Sequence, residues 1–527
     1  MSYIDLNDIQ GNVVKPYGRF GYPVARYFFL VFTDALGAQR WLDSVILHIT
    51  TGAPWPEPGT PADVPLPDRT LNIAFSYQGM KALGLPRKAL SAFPEEYQMG
   101  MKARADILGD DGPSHPQHWD PLWQDGPVHA WVSMNARSPE IMARQCDWLL
   151  TSIAQTHGDV VLRDGHRSPD GSLKPWQDAA ALKENGRLVP KEHFGFVDGI
   201  SDPYFKGCGS PPEHVIGEGK PTRGNPATMA GWEPLETGEF ILGYRDEACE
   251  YPYAPVPTTL ARNGTFMVYR KLHQNVATWR DYTAKAAEGY AAGQEKLEAK
   301  MVGRWHNGPP LAEFPTKAEA DAFGARLMTV RAELKTEKDP ERLKALQKKY
   351  AAMRLQLKAF NYDDDLDGAA CPLGAHVRRA NPRGALEFGN EGAFQTKGAL
   401  ANRRRILRRG LPYGESPEGT TDQDEHGIIF MALNANIERQ FEFVQQQWVN
   451  YSNDFKLSNE RDPVLGNQQA DAQGQPNGHF MIPGGDDTPP HFCCRIPRFV
   501  ETRGGEYFFI PSISALHLMA KGLVDPT

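Results

Sequence analysis

Apolar runs of strand length, each followed by a helix-forming segment, are the feature that most restricts the fold of this chain. Residues 25–33 are rich in aromatic and β-branched side chains, which predicts a strand buried on at least one face. Asp34 then stands at a helix N-cap position, and apolar residues recur at helical spacing through residue 45. Residues 128–134 and 139–154 repeat this order. Without a nucleotide-binding βαβ fingerprint, the pattern fits an α+β sandwich as well as a parallel fold.

The second half of the chain repeats the same order loosely. A predicted strand at 264–270 precedes a predicted helix at 274–292. Another predicted strand, at 427–433, precedes a predicted helix at 437–448. Self-similarity of this kind suggests a duplicated strand–helix module.

One segment, residues 317–360, departs from this order. It is rich in Ala, Glu, Lys, Leu and Arg, with apolar side chains at helical spacing. Asp339 and Pro340 read as an N-cap followed by proline at the first helical position. We therefore expect an inserted two-helix hairpin. We expect its apolar stripe to pack on its own domain, and a dimerisation arm is the alternative. In neither case do we expect catalytic residues in the hairpin.

Composition limits the class of protein. The chain has 527 residues, 40% of them hydrophobic and 23% charged, so it can bury a substantial core. A net charge of −8 argues against nucleic acid or an anionic membrane as the main partner. No run of 18 apolar residues occurs, and residues 1–5 lack the basic start of a secretory signal. Six cysteines without framework spacing indicate reduced thiols, so we expect a cytoplasmic protein.

Residues 371–383 combine features that suit a bulky anionic cofactor. His376 follows Gly374 and Ala375, whose small side chains allow close approach to the backbone. Four polar residues that can pair with carboxylates follow within seven positions: Arg378, Arg379, Asn381 and Arg383. The acidic run 363–367 can balance part of this positive charge. The set fits haem, with iron on His376 and the propionates met by Arg or Asn.

These residues and two other segments carry a resemblance to a known family. Residues 371–383 resemble the proximal-histidine segment of the dye-decolorising peroxidases, Gly195–Gly199 resembles their GxxDG signature, and Arg405–Gly414 resembles their distal-arginine segment. The three motifs occur in the family's order. The resemblance implies an α+β fold of two ferredoxin-like lobes with haem between or beside them. We expect an N-terminal lobe over 1–215 and a C-terminal lobe, with the hairpin, over 216–527.

The resemblance also implies a role for each central residue. His376 would be the axial ligand of the iron, Asp198 the acid–base that moves a proton between the peroxide oxygens, and Arg408 the cation that stabilises the ferryl intermediate. Arg408 is chosen over Arg409 on the family pattern, and Gly410 stands where some members have Asn. Flanking Phe196 and Val197 are expected to desolvate Asp198. An aspartate in this role predicts an acidic optimum for turnover.

Secondary roles rest on the residues themselves, and two interpretations stay open for each. Glu442 on the predicted helix 437–448 either accepts a hydrogen bond from His376, which would raise the basicity of the imidazole, or is a surface carboxylate. The four polar residues after His376 either contact propionates or form structural salt bridges. Three aromatic residues near the motifs either relay electrons or, as we prefer, belong to the core: Tyr413, Trp448 and Tyr451.

The sequence thus predicts a peroxidase with one haem b per chain that uses hydrogen peroxide to oxidise phenols and dyes of anthraquinone or azo type. Its expected partners are peroxide and aromatic reductants, with neither nucleic acid nor membrane, and a homodimer stays open. A haem storage, sensing or iron-release protein of the same fold is the first alternative. Retention of both Asp198 and Arg408 disfavours it, because haem binding alone requires only His376. A non-haem ferredoxin-like interaction protein is the second.

Overall fold

A nine-stranded antiparallel sheet forms the centre of the molecule in the computed structural model, which describes residues 4–55, 66–387, 398–484 and 488–525. Numbered β1–β9 in chain order, its strands are Val24–Phe32, Arg69–Phe75, Ala130–Ala136, Val160–Leu162, Trp176–Ala180, Thr265–Gln274, Leu407–Tyr413, Gly427–Asn434 and Val500–Ile510. The order across the sheet is β7-β8-β6-β9-β2-β3-β1-β4, and β5 also pairs with β1.

The sheet consists of two parts that meet at one narrow junction. Strands β1–β5 come from the first part of the chain and β6–β9 from the second, and the two sets join where Phe509 of β9 pairs with Phe75 of β2. Every pairing is antiparallel, which removes the parallel alternative and confirms the α+β class with two lobes. The division after residue 215 stays a prediction.

The α-helices of the described chain are Gly11–Val14, Ala35–Ile46, Tyr77–Ala82, Arg87–Leu90, Glu95–Met99, Ala105–Leu108, Pro139–Ala154, Thr258–Ala261, Val276–Ala287, Gln294–Val302, Lys317–Thr336, Pro340–Gln356, His376–Ala380, Ala399–Asn402 and Ile513–Ala520. Asp34 caps its helix as predicted, because its carboxylate accepts the Gly37 N–H at 2.7 Å. The segment predicted as helix 437–448 is wound as two π-helical stretches, Glu438–Glu442 and Val444–Val449.

The predicted helical hairpin is present. Its first helix, Lys317–Thr336, begins with a capping box in which Thr316 and Glu319 satisfy each other's backbone N–H groups. Its second helix, Pro340–Gln356, is capped by Asp339 and contains no fully buried residue. The two helices pack on each other, and Phe323 of the first lies against Phe314 at a ring-centroid distance of 4.8 Å. The base of the hairpin is thus anchored, whereas the second helix remains largely exposed.

Aromatic and aliphatic side chains from both sets of strands form one continuous core. Phe29 of β1 lies edge-on against Tyr269 of β6 at 5.1 Å between ring centroids, so the core crosses the junction between the lobes. All six cysteines are free thiols. None of the helices in the described ranges is long and apolar enough to cross a membrane.

Candidate active site

His376 is the first residue of the short helix His376–Ala380, and Ala375 before it is extended. Gly374 was expected to make room for a bulky cofactor, but the structure shows a different reason for the glycine. A Cβ on Gly374 would lie 2.1 Å from the Glu460 carboxylate, so glycine is required there by a buried neighbouring side chain. The imidazole itself remains 30% exposed.

A buried carboxylate fixes the orientation of the His376 ring. Nδ1 of His376 lies 2.8 Å from Oδ2 of Asp462, whose side chain has no exposed surface. The other oxygen of Asp462 accepts the N–H groups of Val464 and Leu465 at 2.8 and 2.9 Å. In the neutral ring this contact places the proton on Nδ1 and the lone pair on Nε2, which is the state of a metal-ligating histidine.

His376 and Asp462 also shift each other's pKa. Burial lowers the pKa of His376, but the Asp462 carboxylate outweighs burial and holds the pKa above its ordinary value. Burial raises the pKa of the Asp462 carboxyl, whereas His376 and Arg379 bring it below its ordinary value. Asp462 therefore stays ionised beside the imidazole.

The prediction that Glu442 supports His376 is wrong. Glu442 is buried in the first π-helical stretch, where Arg104 donates two hydrogen bonds to its carboxylate and the Tyr507 hydroxyl donates a third at 2.7 Å. Its alternative role as a surface carboxylate is wrong as well. Asp462, 86 residues after His376, was missed because no local motif marks it as a histidine partner.

Asp198 and Arg408 face each other across a second part of the site. Arg408 Nη1 lies 3.5 Å from Asp198 Oδ1, and the side chains are 44% and 57% exposed. The Arg408 guanidinium also donates to the Ser201 carbonyl at 3.1 Å. Arg409 points elsewhere, because its guanidinium donates to the carbonyls of residues 12 and 13 and pairs with Asp202 at 2.7 Å. The geometry thus brings Arg408, and not Arg409, to Asp198.

The backbone around this pair explains two glycines. Gly410 has φ of +124°, and a Cβ there would lie 1.8 Å from the Ile429 carbonyl oxygen on β8. An asparagine at 410 would therefore break the pairing of β7 with β8. Gly195 opens the Asp198 turn with φ of +95°, a conformation that favours glycine.

The expected desolvation of Asp198 by its neighbours is not found. Phe196 turns away and packs edge-on against His306, with 4.3 Å between ring centroids. Among the residues that the structure describes, the Asp198 carboxylate accepts a single N–H, that of Gly199 at 2.6 Å, and it faces Arg408. It therefore remains accessible for proton exchange.

Electrostatics link the two parts of the site. After burial and Asp462, the next influences on the pKa of His376 are Arg408, which lowers it, and Asp198, which raises it. Asp198 and Arg408 thus contribute to the charge that His376 experiences, although the three residues come from separate segments of the chain.

The arginines that follow His376 are held by protein partners. Arg378 donates to Asp365 at 2.9 Å and to the Cys371 carbonyl at 2.7 Å, so the acidic run balances its charge as predicted. Arg379 donates to the Gly374 carbonyl at 2.7 Å and to Glu460 at 3.0 Å. Both side chains are almost fully buried, at 1% and 0% exposure. The propionate role expected for them is therefore corrected to the structural alternative.

Arg383 is corrected in the same way, whereas Asn381 is not. The Arg383 guanidinium is buried and donates to three backbone carbonyls, and burial lowers its pKa to about 9. Asn381 is half-buried, and its Oδ1 has no hydrogen-bond partner within the described chain. Asn381 thus remains the one candidate of the four for contact with a bound group.

Of the three aromatic residues with two open interpretations, Tyr413 and Trp448 are buried, which agrees with the preferred core role. Tyr451 is 42% exposed, so the core interpretation is wrong for it.

The donor atoms of the site decide which kind of metal centre it could hold. In the described ranges no group of three or more His, Cys, Asp or Glu residues could hold a metal ion. Haem iron needs only one axial protein ligand, and His376 with its buried carboxylate partner fits that need.

Comparison with known proteins gives a consistent result. Residues 8–169 match the model of the DyP dimeric alpha+beta barrel domain, and residues 254–460 match that of the C-terminal part of Dyp-type peroxidases. Peroxidase 2 of Mycetinis scorodonius is 26% identical over 526 residues, covering 97% of this chain and 87% of that protein. Dye-decolorizing peroxidase AauDyP1 of Auricularia auricula-judae is 27% identical, covering 97% and 86%.

Solved structures of DyP-type peroxidases are also similar to this chain. An ancestral D-type dye decolorizing peroxidase is 27% identical with a TM-score of 0.68, covering 98% of this chain and 99% of that one. The DyP-type peroxidase of Anabaena sp., at 23% identity, shares the fold with a TM-score of 0.69, covering 98% and 94%. With both family domains matched in order and relatives aligned along nearly its whole length, the chain belongs to the DyP-type (dye-decolorising) peroxidases, a family of haem-dependent peroxidases.

Proposed function

We propose that this chain binds one haem b and uses hydrogen peroxide to oxidise phenolic compounds and dyes of the anthraquinone or azo type. The observation that carries the proposal is the ion pair of Asp198 with Arg408, in a chain whose His376 ring is held by the buried Asp462 carboxylate. A protein that only stored or sensed haem would need His376 and not the other two residues.

His376 would hold the haem iron through Nε2, while Asp462 keeps the proton on Nδ1 and prevents rotation of the ring. The bound haem supplies the redox chemistry, namely two-electron reduction of peroxide followed by one-electron oxidation of reductants. An ionised Asp462 gives the imidazole partial imidazolate character, which strengthens its donation to a metal. Asn381 is the residue proposed to contact a propionate, to which its side-chain NH₂ would donate, because the propionate oxygens are acceptors.

Asp198 would accept a proton from one peroxide oxygen and return it to the other, as a general base and then a general acid. In the part of the chain that the structure describes, its exposed carboxylate accepts no backbone hydrogen bond other than the one from Gly199, so peroxide can approach it without rearrangement of the fold. Arg408, held by the Ser201 carbonyl, would supply a positive charge that stabilises the charge developing on the peroxide oxygens.

The proposed reductants, phenols and dyes, are taken from what is known of the related proteins by their names. Several are named dye-decolorizing peroxidases, and one solved dye-decolorizing peroxidase, 23% identical to this chain, was determined in complex with 2,6-dimethoxyphenol. We extend phenols and dyes to this chain on that basis.

Stopped-flow mixing of the haem-loaded protein with hydrogen peroxide tests the proposal. We expect the Soret band to shift within milliseconds to seconds, followed by turnover of 2,6-dimethoxyphenol and of an anthraquinone dye. Haem uptake with an unchanged Soret band after peroxide would indicate a haem-handling protein instead. Protein that takes up no haemin would indicate a non-haem interaction protein.

A further inference from the structure

Glu192 lies inside the turn that carries Asp198 and is bonded to the turn's own backbone. Its carboxylate accepts the N–H of Phe194 at 2.8 Å and the N–H of Phe196 at 2.9 Å. A third donor, the side-chain amide of Gln274, lies at 2.6 Å. One carboxylate thus satisfies two N–H groups of the segment that leads into Asp198.

The backbone closes around this carboxylate. Glu192 N–H donates to the Phe196 carbonyl at 3.0 Å, and Gly195 N–H donates to the Glu192 carbonyl at 2.9 Å. Asp198 N–H then donates to the Pro190 carbonyl at 2.8 Å. Residues 190–198 therefore form a closed hairpin-like turn whose direction sets where the Asp198 side chain lies.

The turn is also tied to the rest of the fold. Gln274 is the last residue of β6 and is buried, so its bond to Glu192 connects the turn to the central sheet. Phe194 stacks on Trp279 with 4.8 Å between ring centroids. Burial raises the pKa of Glu192, as expected for a carboxylate enclosed by these contacts.

We propose that Glu192 is a positioning residue for the peroxide reaction, because it holds the turn in the conformation that presents Asp198 to Arg408. This inference rests on the proposed function, in which Asp198 moves the proton. Glu192 donates no hydrogen bond to Asp198 and touches no reacting atom. It acts through the backbone of residues 194–196.

The variant Glu192→Gln keeps the size of the side chain but replaces one acceptor oxygen with an NH₂ group, so one of the two turn N–H groups loses its acceptor. We expect the second-order rate constant for the peroxide reaction to fall about tenfold or more, within the range that a displaced acid–base group can cost. Haem affinity should stay within about twofold of wild type. Glu295→Gln is the matched control, since Glu295 pairs with Lys317 at the surface, outside residues 190–198, and its substitution should leave the rate unchanged.

A double-mutant cycle with Asp198→Asn distinguishes positioning from a general structural role. If Glu192 acts through Asp198, adding Glu192→Gln to Asp198→Asn should cause little further loss of rate. Equal loss with and without Asp198 would overturn the proposal. Gln274→Leu, which removes only the third donor, should give a smaller loss with the same non-additivity, and it serves if Glu192→Gln does not fold.

Hydrogen exchange gives a readout that is independent of peroxidase activity. In Glu192→Gln, and not in Glu295→Gln, the amides of Phe194 and Phe196 should exchange on the order of tenfold faster than in wild type. Unchanged exchange there would overturn the proposal even in an active enzyme. Failure of the wild-type protein to react with peroxide, together with faster exchange in Glu192→Gln, would refute the proposed function and leave the support of the turn by Glu192 intact.

Discussion

The two sides of the candidate active site are built in opposite ways. On the His376 side the supporting groups are buried, and Asp462 accepts bonds on both oxygens. On the Asp198 side, both charged side chains are about half exposed and approach each other at only 3.5 Å. Low exposure and saturated hydrogen bonds fix the geometry of a group, whereas exposure lets it exchange protons and meet small molecules. The difference suits a fixed axial ligand facing a proton-moving pair.

The largest effect is expected at the exposed side. Asp198→Asn removes the proton acceptor while keeping the size of the side chain, so the rate constant of the peroxide reaction should fall about 10²- to 10⁴-fold. Haem affinity should not change, because the residue supports no buried group. Stopped-flow rates across pH check this, and the acidic optimum expected for wild type should disappear. Asp178→Asn, at an exposed ion pair with Arg26, is a control expected to behave as wild type.

A smaller effect is expected from the buried partner of the histidine. Asp462→Asn leaves the His376 ring without its ionised acceptor, so haem affinity should fall about 10- to 100-fold. Haemin titration followed by the Soret band measures it. Glu442→Gln is the informative comparison, because Glu442 pairs with Arg104 instead and its substitution should leave haem affinity unchanged. Equal losses in both variants would contradict the assignment of Asp462.

The smallest effect on the site is expected from substitution of an arginine for which the sequence allowed contact with a propionate. Arg378→Met leaves Asp365 buried and unpaired, which should lower the free energy of unfolding by about 3–5 kcal/mol. Haem affinity and the peroxide rate of the folded variant should stay within about twofold of wild type. Denaturant unfolding and haemin titration separate these outcomes. A selective loss of haem affinity at unchanged stability would restore the propionate role.

Structural features that depend on neighbouring residues in the sequence could be predicted, whereas contacts between distant residues could not. Strands such as β1 and the Asp34 cap follow from side-chain patterns within a few residues, and the structure confirms them. The hairpin was equally predictable, because helical spacing and the Asp339-Pro340 cap are local signals.

The site was harder to predict where long-range pairing decides it. Asp462 reaches His376 from 86 residues away, and nothing near it in sequence indicates that contact. Arg378 and Arg379 can be buried because Asp365 and Glu460 neutralise their charges. Only the fold brings these carboxylates to the two arginines. Gly374 was attributed to a bulky ligand, but the structure gives its space to Glu460.

The central claim, that Nε2 of His376 is the axial ligand opposite Asp198 and Arg408, is tested most directly by the absorption spectrum of haem-loaded wild type and His376→Ala. Wild type should show a high-spin, histidine-ligated ferric spectrum that changes on addition of hydrogen peroxide. The variant should lose that spectrum and regain it when imidazole is supplied in solution. An identical spectrum in the two proteins would contradict the claim.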